Sequence, residues 1–250
     1  MPKWRNRRPL KHWRYVGAYG PELMLCAGDA HIGPLHQRFW ALATRDGRVR
    51  EKTTLIGSGG VRLAGPELAI DAPGVRVRVR VDEATPVETL SRHGDSYIWT
   101  AKQGGVRVSG LIELDGAPIQ FEERGIVDHS AGYHARHTVW SWSAGVGVSG
   151  DGRPVAWNLV TGVHDAPTGS ERSVWIDGEP REVGPVEFAA DLSRVGELEF
   201  SEWSAREANT NALLLRSRYR QPFGTFSGVL PDGTELREGY GVMEAHDVHW

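Results

Sequence analysis

Residues 109–129 read Ser109-Gly110-Leu111-Ile112-Glu113-Leu114-Asp115-Gly116-Ala117-Pro118-Ile119-Gln120-Phe121-Glu122-Glu123-Arg124-Gly125-Ile126-Val127-Asp128-His129. Asp115-Gly116 is a hairpin-type dipeptide set between apolar-rich segments, so the stretch predicts a β-hairpin that ends on an acid and a histidine. A second version runs Ser227-Gly228-Val229-Leu230-Pro231-Asp232-Gly233-Thr234-Glu235-Leu236-Arg237-Glu238-Gly239-Tyr240-Gly241-Val242-Met243-Glu244-Ala245-His246. Gly110 matches Gly228, Asp115-Gly116 matches Asp232-Gly233, Gly125 matches Gly241, and Asp128 matches Glu244, at offsets of 116 to 118 residues. Similarity at a near-constant offset marks duplicated units. The 250 residues then divide into two halves, 1–124 and 125–250, each with room for about eight strands of ordinary length.

The surrounding chain carries the same pattern. Asp46-Gly47, Gly59-Gly60, Pro73-Gly74, Gly94-Asp95, Gly104-Gly105 and Asp177-Gly178 are further hairpin-type signals. Between 75 and 81 valine alternates with arginine, a strict period of two that predicts a strand with valines buried and arginines in solvent. No stretch keeps the helical period over three turns, so helices should be few and short. The expected fold is all-β: two tandem antiparallel barrels.

Composition narrows the function. A net charge of -3 gives no positive field for nucleic acid. The basic N-terminus, with Trp4 and Trp13, reads as an arm that docks its tryptophans while its charges stay in water. Cys26 is the single cysteine, which fits a reducing compartment, and no apolar run approaches the roughly 18 residues of a membrane helix. A soluble cytoplasmic protein is expected. Ten tryptophans suit a broad core or a pocket for flat, apolar ligands.

Six segments carry a family resemblance: Asp-His-Ser-Ala-Gly-Tyr at 128–133, Trp-Ser-Trp-Ser at 140–143, Trp-Asn-Leu-Val at 157–160, Ser-Glu-Arg at 170–172, Arg-Tyr-Arg-Gln-Pro-Phe-Gly at 218–224, and Gly-Tyr-Gly-Val-Met-Glu-x-His-Asp-x-x-Trp at 239–250. In these the chain resembles an actinobacterial family of unknown function. That family is related to the tandem lipocalin-like proteins: carotenoid 1,2-hydratases, AttH-like proteins and lipocalin-type cyclases. The resemblance implies two lipocalin-like barrels about a pseudo-twofold axis. It also implies a carboxylic acid that protonates an alkene, after which water adds to the cation.

Asp128 is the first candidate for that acid. It follows the apolar pair Ile126-Val127, and an acid that stays protonated near neutral pH needs an apolar pocket. Glu244 is its repeat mate, and packing about a pseudo-twofold axis would bring the two carboxyls toward each other. His129, Tyr133 and His246 are candidate proton-relay or hydrogen-bond partners. Trp140 and Trp142 alternate with serines, so both indoles leave one side of a strand and can stabilise a cation. His134, His137, Tyr240 and Asn158 complete the candidate substrate contacts. His134-x-x-His137 has a spacing that meets on a helix but not on a strand, so no metal site is expected and no cofactor is required. Gly145-Val146-Gly147-Val148-Ser149-Gly150 matches the dinucleotide fingerprint but runs into a turn rather than a helix. The resulting expectation is an enzyme using acid–base chemistry on a small hydrophobic, unsaturated or polycyclic substrate: hydration, isomerisation or cyclisation. The alternative is a non-catalytic carrier of such a ligand. The sequence does not fix the oligomeric state.

Overall fold

The computed structural model describes residues 1–55, 57–212 and 215–250. The described residues form strands and turns, with no helix among them. A two-residue pair, β1 (Trp4–Arg5) and β2 (Arg8–Pro9), precedes the first sheet. That sheet holds β3 (Lys11–Tyr19), β4 (Leu23–Ile32), β5 (Leu35–Thr44), β6 (Val49–Thr54), β7 (Val61–Ala64), β8 (Glu67–Ala72), β9 (Val75–Asp82), β10 (Val87–His93), β11 (Ser96–Leu114) and β12 (Ala117–Gly132). The second sheet holds β13 (His137–Ser149), β14 (Pro154–Thr161), β15 (Ser173–Ile176), β16 (Glu179–Glu182), β17 (Arg194–Val195), β18 (Glu197–Ala212), β19 (Leu215–Val229) and β20 (Glu235–His249).

The two sheets repeat one topology. In each, the first strand pairs antiparallel with the last: β3 with β12, and β13 with β20. Hairpin neighbours then extend both ways, giving the orders 6-5-4-3-12-11-9-8-7 and 16-15-14-13-20-19-18-17, with β10 and β9 pairing along successive parts of the same edge of β11, opposite β12. A meander whose first and last strands join curls into a lipocalin-like barrel. These are the two tandem barrels expected from the repeat. β12 runs through the expected 124/125 division and belongs wholly to the first sheet, so the change of sheet falls at residues 133–136.

The repeat also explains its own glycines. Gly110 in β11 pairs with Val79, and Gly228 in β19 pairs with Leu198, each with a positive φ (154° and 114°); at Gly228 the register of β19 against β20 also shifts. A side chain at Gly228 would collide with the Glu197 carbonyl. We predict that Gly228→Ala costs about 1–3 kcal/mol, read as a fall of several degrees in the thermal midpoint. Gly104-Gly105, expected to be a turn, lies instead inside β11 at a register shift between Gly104 and Val106. The bulge absorbs the extra residue, and one long strand continues through it.

Three cores stack along the molecule. Val16, Leu25, Trp40, Leu42, Val77 and Val108 belong to the core of the first barrel. Trp157, Leu159, Val174, Leu198, Phe226 and Met243 belong to that of the second. A third joins the outer faces of both, with Tyr15, Tyr19, Met24 and Ile126 against Trp142, Val160, Trp175 and Phe223. Period two sorts the residues: Val16 faces into the first barrel while Tyr15 faces the partner sheet. The β9 valines are all buried in the first core and its arginines are exposed, where Arg78 and Arg80 pair with Asp71 and Glu67. Trp4 stays exposed, whereas Trp13 enters β3.

Candidate functional site

The third core opens at one end into a cavity of about 150 Å³ walled by both sheets. The repeat explains why its chemistry lies there. Asp128 pairs in register with Tyr15 of β3, and Glu244 pairs with Trp142 of β13. Tyr15 and Trp142 meet edge-on across the interface, with ring centroids 5.5 Å apart. Equivalent strands therefore pack against one another, and the two equivalent carboxyls face one cavity.

Their surroundings differ. Asp128 Oδ1 lies 2.7 Å from Lys102 Nζ, and Lys102 lies 3.2 Å from Glu171 Oε1. All three residues are buried. Burial opposes the charge of Lys102, but Asp128 and Glu171 outweigh it and its pKa is raised. Burial likewise works against the Glu171 carboxylate, yet Lys102 and His164 hold its pKa below the usual range. In the second barrel the register of β19 on β20 puts Gln221, not a lysine, opposite Glu244. Glu244 accepts hydrogen bonds from Trp140 Nε1 (2.8 Å), Tyr219 Oη (2.7 Å) and Gln221 Nε2 (3.1 Å). Burial raises its pKa above the ordinary value, and these donors do not cancel the effect. One carboxyl is thus charge-paired and the other is biased toward its proton.

Around them the walls are aromatic and amphipathic. Trp142 donates from Nε1 to Asn158 Oδ1 at 2.8 Å, and Asn158 donates to the Glu171 carbonyl at 2.9 Å, so Asn158 positions the indole from behind and does not line the cavity. His246 sits 4.3 Å centroid to centroid from Trp140 and shares a 2.8 Å hydrogen bond between Nε2 and Ser217 Oγ. Burial, with Arg206 adding to it, lowers its pKa to about 3. Arg206 stacks over Phe39 and Tyr219, at 4.1 and 4.7 Å. Polar atoms of Thr100, Ser130, His134, His164, Glu171 and Arg206 are buried with no hydrogen-bond partner among the described residues, and all six residues line this cavity. Buried orphan atoms are rare in native proteins, and their grouping here equips the cavity for a ligand with polar atoms on an apolar frame.

Of the residues singled out in the sequence, Asp128, His134, Trp140, Trp142, Glu244 and His246 come together at the cavity. His129, Tyr133, His137 and Tyr240 do not, and strand geometry gives the reasons. His129 neighbours Asp128 on β12 and so points to the opposite face. Tyr133 lies past the end of β12 and donates its hydroxyl to the Pro2 carbonyl at 2.7 Å, tying down the N-terminal arm. His137 has the opposite parity to Trp140 and Trp142 and pairs on the surface with Asp247 at 2.9 Å. Tyr240 shares the face of Glu244 but sits four residues away, about 13 Å along the strand, in a separate cleft with Glu123 and Glu238. Asp128 was expected in an apolar pocket and has an ammonium beside it instead. Lys102, Glu171, Arg206 and Tyr219 also line the cavity and are not among the residues that the sequence singles out for chemistry. The available signals were a lysine directly after the mostly apolar Ile98-Trp99-Thr100-Ala101 and the glutamate of the Ser-Glu-Arg segment.

Buried neutral histidines make the fold acid-sensitive. Burial pushes His134 well below 6.5 and His246 to about 3, so between pH 6.5 and those values the unfolded chain binds more protons than the folded one. Stability therefore falls as pH drops through that window. We predict that His246→Asn, which keeps a partner for Ser217, flattens part of this slope in denaturant midpoints measured at pH 7, 5 and 4.

Residues 75–250 match the family described as a domain of unknown function, DUF2804. The chain belongs to that family. No curated protein matches it. Among solved structures, an AttH-like protein from Nitrosomonas europaea is 16% identical with a TM-score of 0.59, over 94% of this chain and 92% of that one. Kievitone hydratase from Nectria haematococca is 10% identical with a TM-score of 0.58, over 94% of this chain and 88% of that one. At these identities the likeness establishes the tandem lipocalin-like fold of this DUF2804 chain. No helix among the described residues is long and apolar enough to cross a membrane.

Proposed function

We propose that the chain is an enzyme that protonates a small, largely apolar, unsaturated substrate in the cavity between its barrels. One observation carries the reading: two repeat-equivalent buried carboxyls, Asp128 and Glu244, face the same aromatic cavity in opposite electrostatic settings. A carboxylate held beside an ammonium and a second buried carboxyl inclined to keep its proton supply a base and an acid. Glu244 is the acid and Asp128 the base, which exchanges the roles expected from sequence. The Glu244 O–H gives its proton to one alkene carbon, and the π electrons form the new C–H bond. The faces of Trp140 and Trp142 stabilise the positive charge left on the other carbon. In hydration, water adds to that carbon and gives a proton to Asp128. In isomerisation, Asp128 takes a proton from an adjacent carbon. In cyclisation, a second double bond of the substrate attacks the cation, and Asp128 takes a proton from the carbon beside the new cationic centre, whose C–H electrons close a double bond. Lys102 and Glu171 hold Asp128 in place and balance its charge. The hydratase named among the structural neighbours supports this class of chemistry on this fold.

The test is a titration of tryptophan fluorescence with terpenoids, polyenes, fatty acids and aromatic polyketides, each mixture then read by mass and chromatographic retention. Quenching with a new mass or a new retention time is expected. Quenching by a ligand that is recovered unchanged would favour the carrier reading and overturn the catalytic one.

A further inference from the structure

A second constellation lies away from the cavity. The face of β4 and β5 that buries Leu25, Ala27, Trp40 and Leu42 in the first core carries Asp29, His31 and His36 toward its far end. Asp29 and His31 are two apart on β4, so they share a side, and His36 is directly opposite His31 on β5. Residues i and i+2 on one strand and the residue facing them on the next bring three side chains to one point. His36 Nε2 is 2.6 Å and His31 Nδ1 3.4 Å from Asp29 Oδ1. The two imidazoles stack at 3.8 Å. All three ligand-capable atoms fall within 4.8 Å of one another. His12, facing His31 from β3, stacks on it at 4.4 Å.

We propose that Asp29, His31 and His36 bind a divalent first-row transition ion such as zinc. Two imidazoles and one carboxylate form a ligand set suited to such ions, with positions left for water or a further nitrogen. The Asp29 carboxylate is already divided for the task. Its Oδ2 accepts from Arg38 Nε at 2.8 Å, which fixes the carboxylate plane and leaves Oδ1 toward the two imidazoles. On binding, the ion takes the place of the proton shared by His36 Nε2 and Asp29 Oδ1, and the imidazole keeps its proton on Nδ1. The side chains are half-buried at a rim, so an ion has access from solvent.

A more exposed set, His137, Asp247 and His249, supplies an internal control. It has the same residue types and an Arg218 contact on Asp247 Oδ2 at 2.8 Å. Zinc binding to the metal-free full-length chain is measured by calorimetry, and cobalt(II) binding by visible absorbance. The expected result is one strong site whose affinity falls at least tenfold in His31→Gln and in His36→Gln and is unchanged in His137→Gln. Thermal melts of the metal-free variants must match the parent, which separates lost ligation from lost folding. No zinc or cobalt binding by the parent chain overturns the proposal, as does a site that survives both β4/β5 variants or disappears with His137→Gln alone.

Discussion

Lys102→Met lowers folding stability by about 3–5 kcal/mol at neutral pH, the cost of leaving a buried charge without its partner. Lys102 is 3% exposed, and its ammonium is shared by Asp128 and Glu171. Without it, two carboxylates face one another across the barrel interface with no cation between them. The pH dependence carries the proof. The raised pKa of Lys102 means its contribution is fully present below 10.5 and lost only as pH rises through the higher folded value. The lowered pKa of Glu171 means its contribution is present above 4.5 and lost as pH falls through the lower folded value. The deficit of the variant is therefore largest between those limits. It shrinks in acid, where both carboxyls of the variant take up protons. Adding Asp128→Asn and Glu171→Gln to Lys102→Met restores most of the stability, because none of the three positions then carries a buried charge. Urea midpoints of the single and triple variants at pH 7 and pH 4 decide the matter, and a single variant as stable as the parent at pH 7 would mean that the triad is wet.

Glu244→Gln abolishes turnover while the chain stays folded. Loss of a general acid costs about 100- to 10,000-fold in rate. The amide keeps the shape: its oxygen accepts from Trp140, and its NH2 meets Tyr219 and a rotated Gln221 side chain. It also removes an ionisation that burial disfavours. In the parent the folded state holds the Glu244 proton to higher pH than the unfolded chain, so stability falls as pH rises from 4.5 through the raised folded value. That component is missing in Glu244→Gln, which is then at least as stable as the parent at pH 7. Glu244→Ala is the contrast. It strands three buried donors and loses about 2–5 kcal/mol. A Glu244→Gln protein with parental turnover removes Glu244 from the chemistry.

The architecture was legible because it rests on local devices. Gly110 and Gly228 share the same positive-φ position, and Asp115-Gly116 and Asp232-Gly233 the same hairpin position, so the duplication survives as punctuation after most side chains have diverged. Period two was equally readable in Val75–Val81. The site was legible only where a residue's own strand carried the information, as for Trp140 with Trp142 and for the repeat mates Asp128 and Glu244. Alternation alone would have turned His129 away from Asp128. The Lys102–Asp128–Glu171 triad was not legible, since Glu171 reaches Lys102 from the other barrel and nothing within either segment encodes that meeting. The contrast between the settings of the two carboxyls has the same origin. Asp128 and Glu244 are equivalent in their own barrels, and what separates them is the residue opposite on the preceding strand, Lys102 in one and Gln221 in the other.

Solvent deuterium reports on proton transfer to carbon inside the interface cavity. The parent chain and Glu244→Gln are incubated in deuterated water with each unsaturated compound that quenches tryptophan fluorescence, and the recovered organic material is examined by NMR and mass spectrometry. Deuterium bonded to carbon in the product of the parent, absent with Glu244→Gln although that variant still binds, is the result predicted for hydration, isomerisation and cyclisation alike. Bound compounds that come back from the parent chain without deuterium on carbon would contradict the account and leave a binding protein.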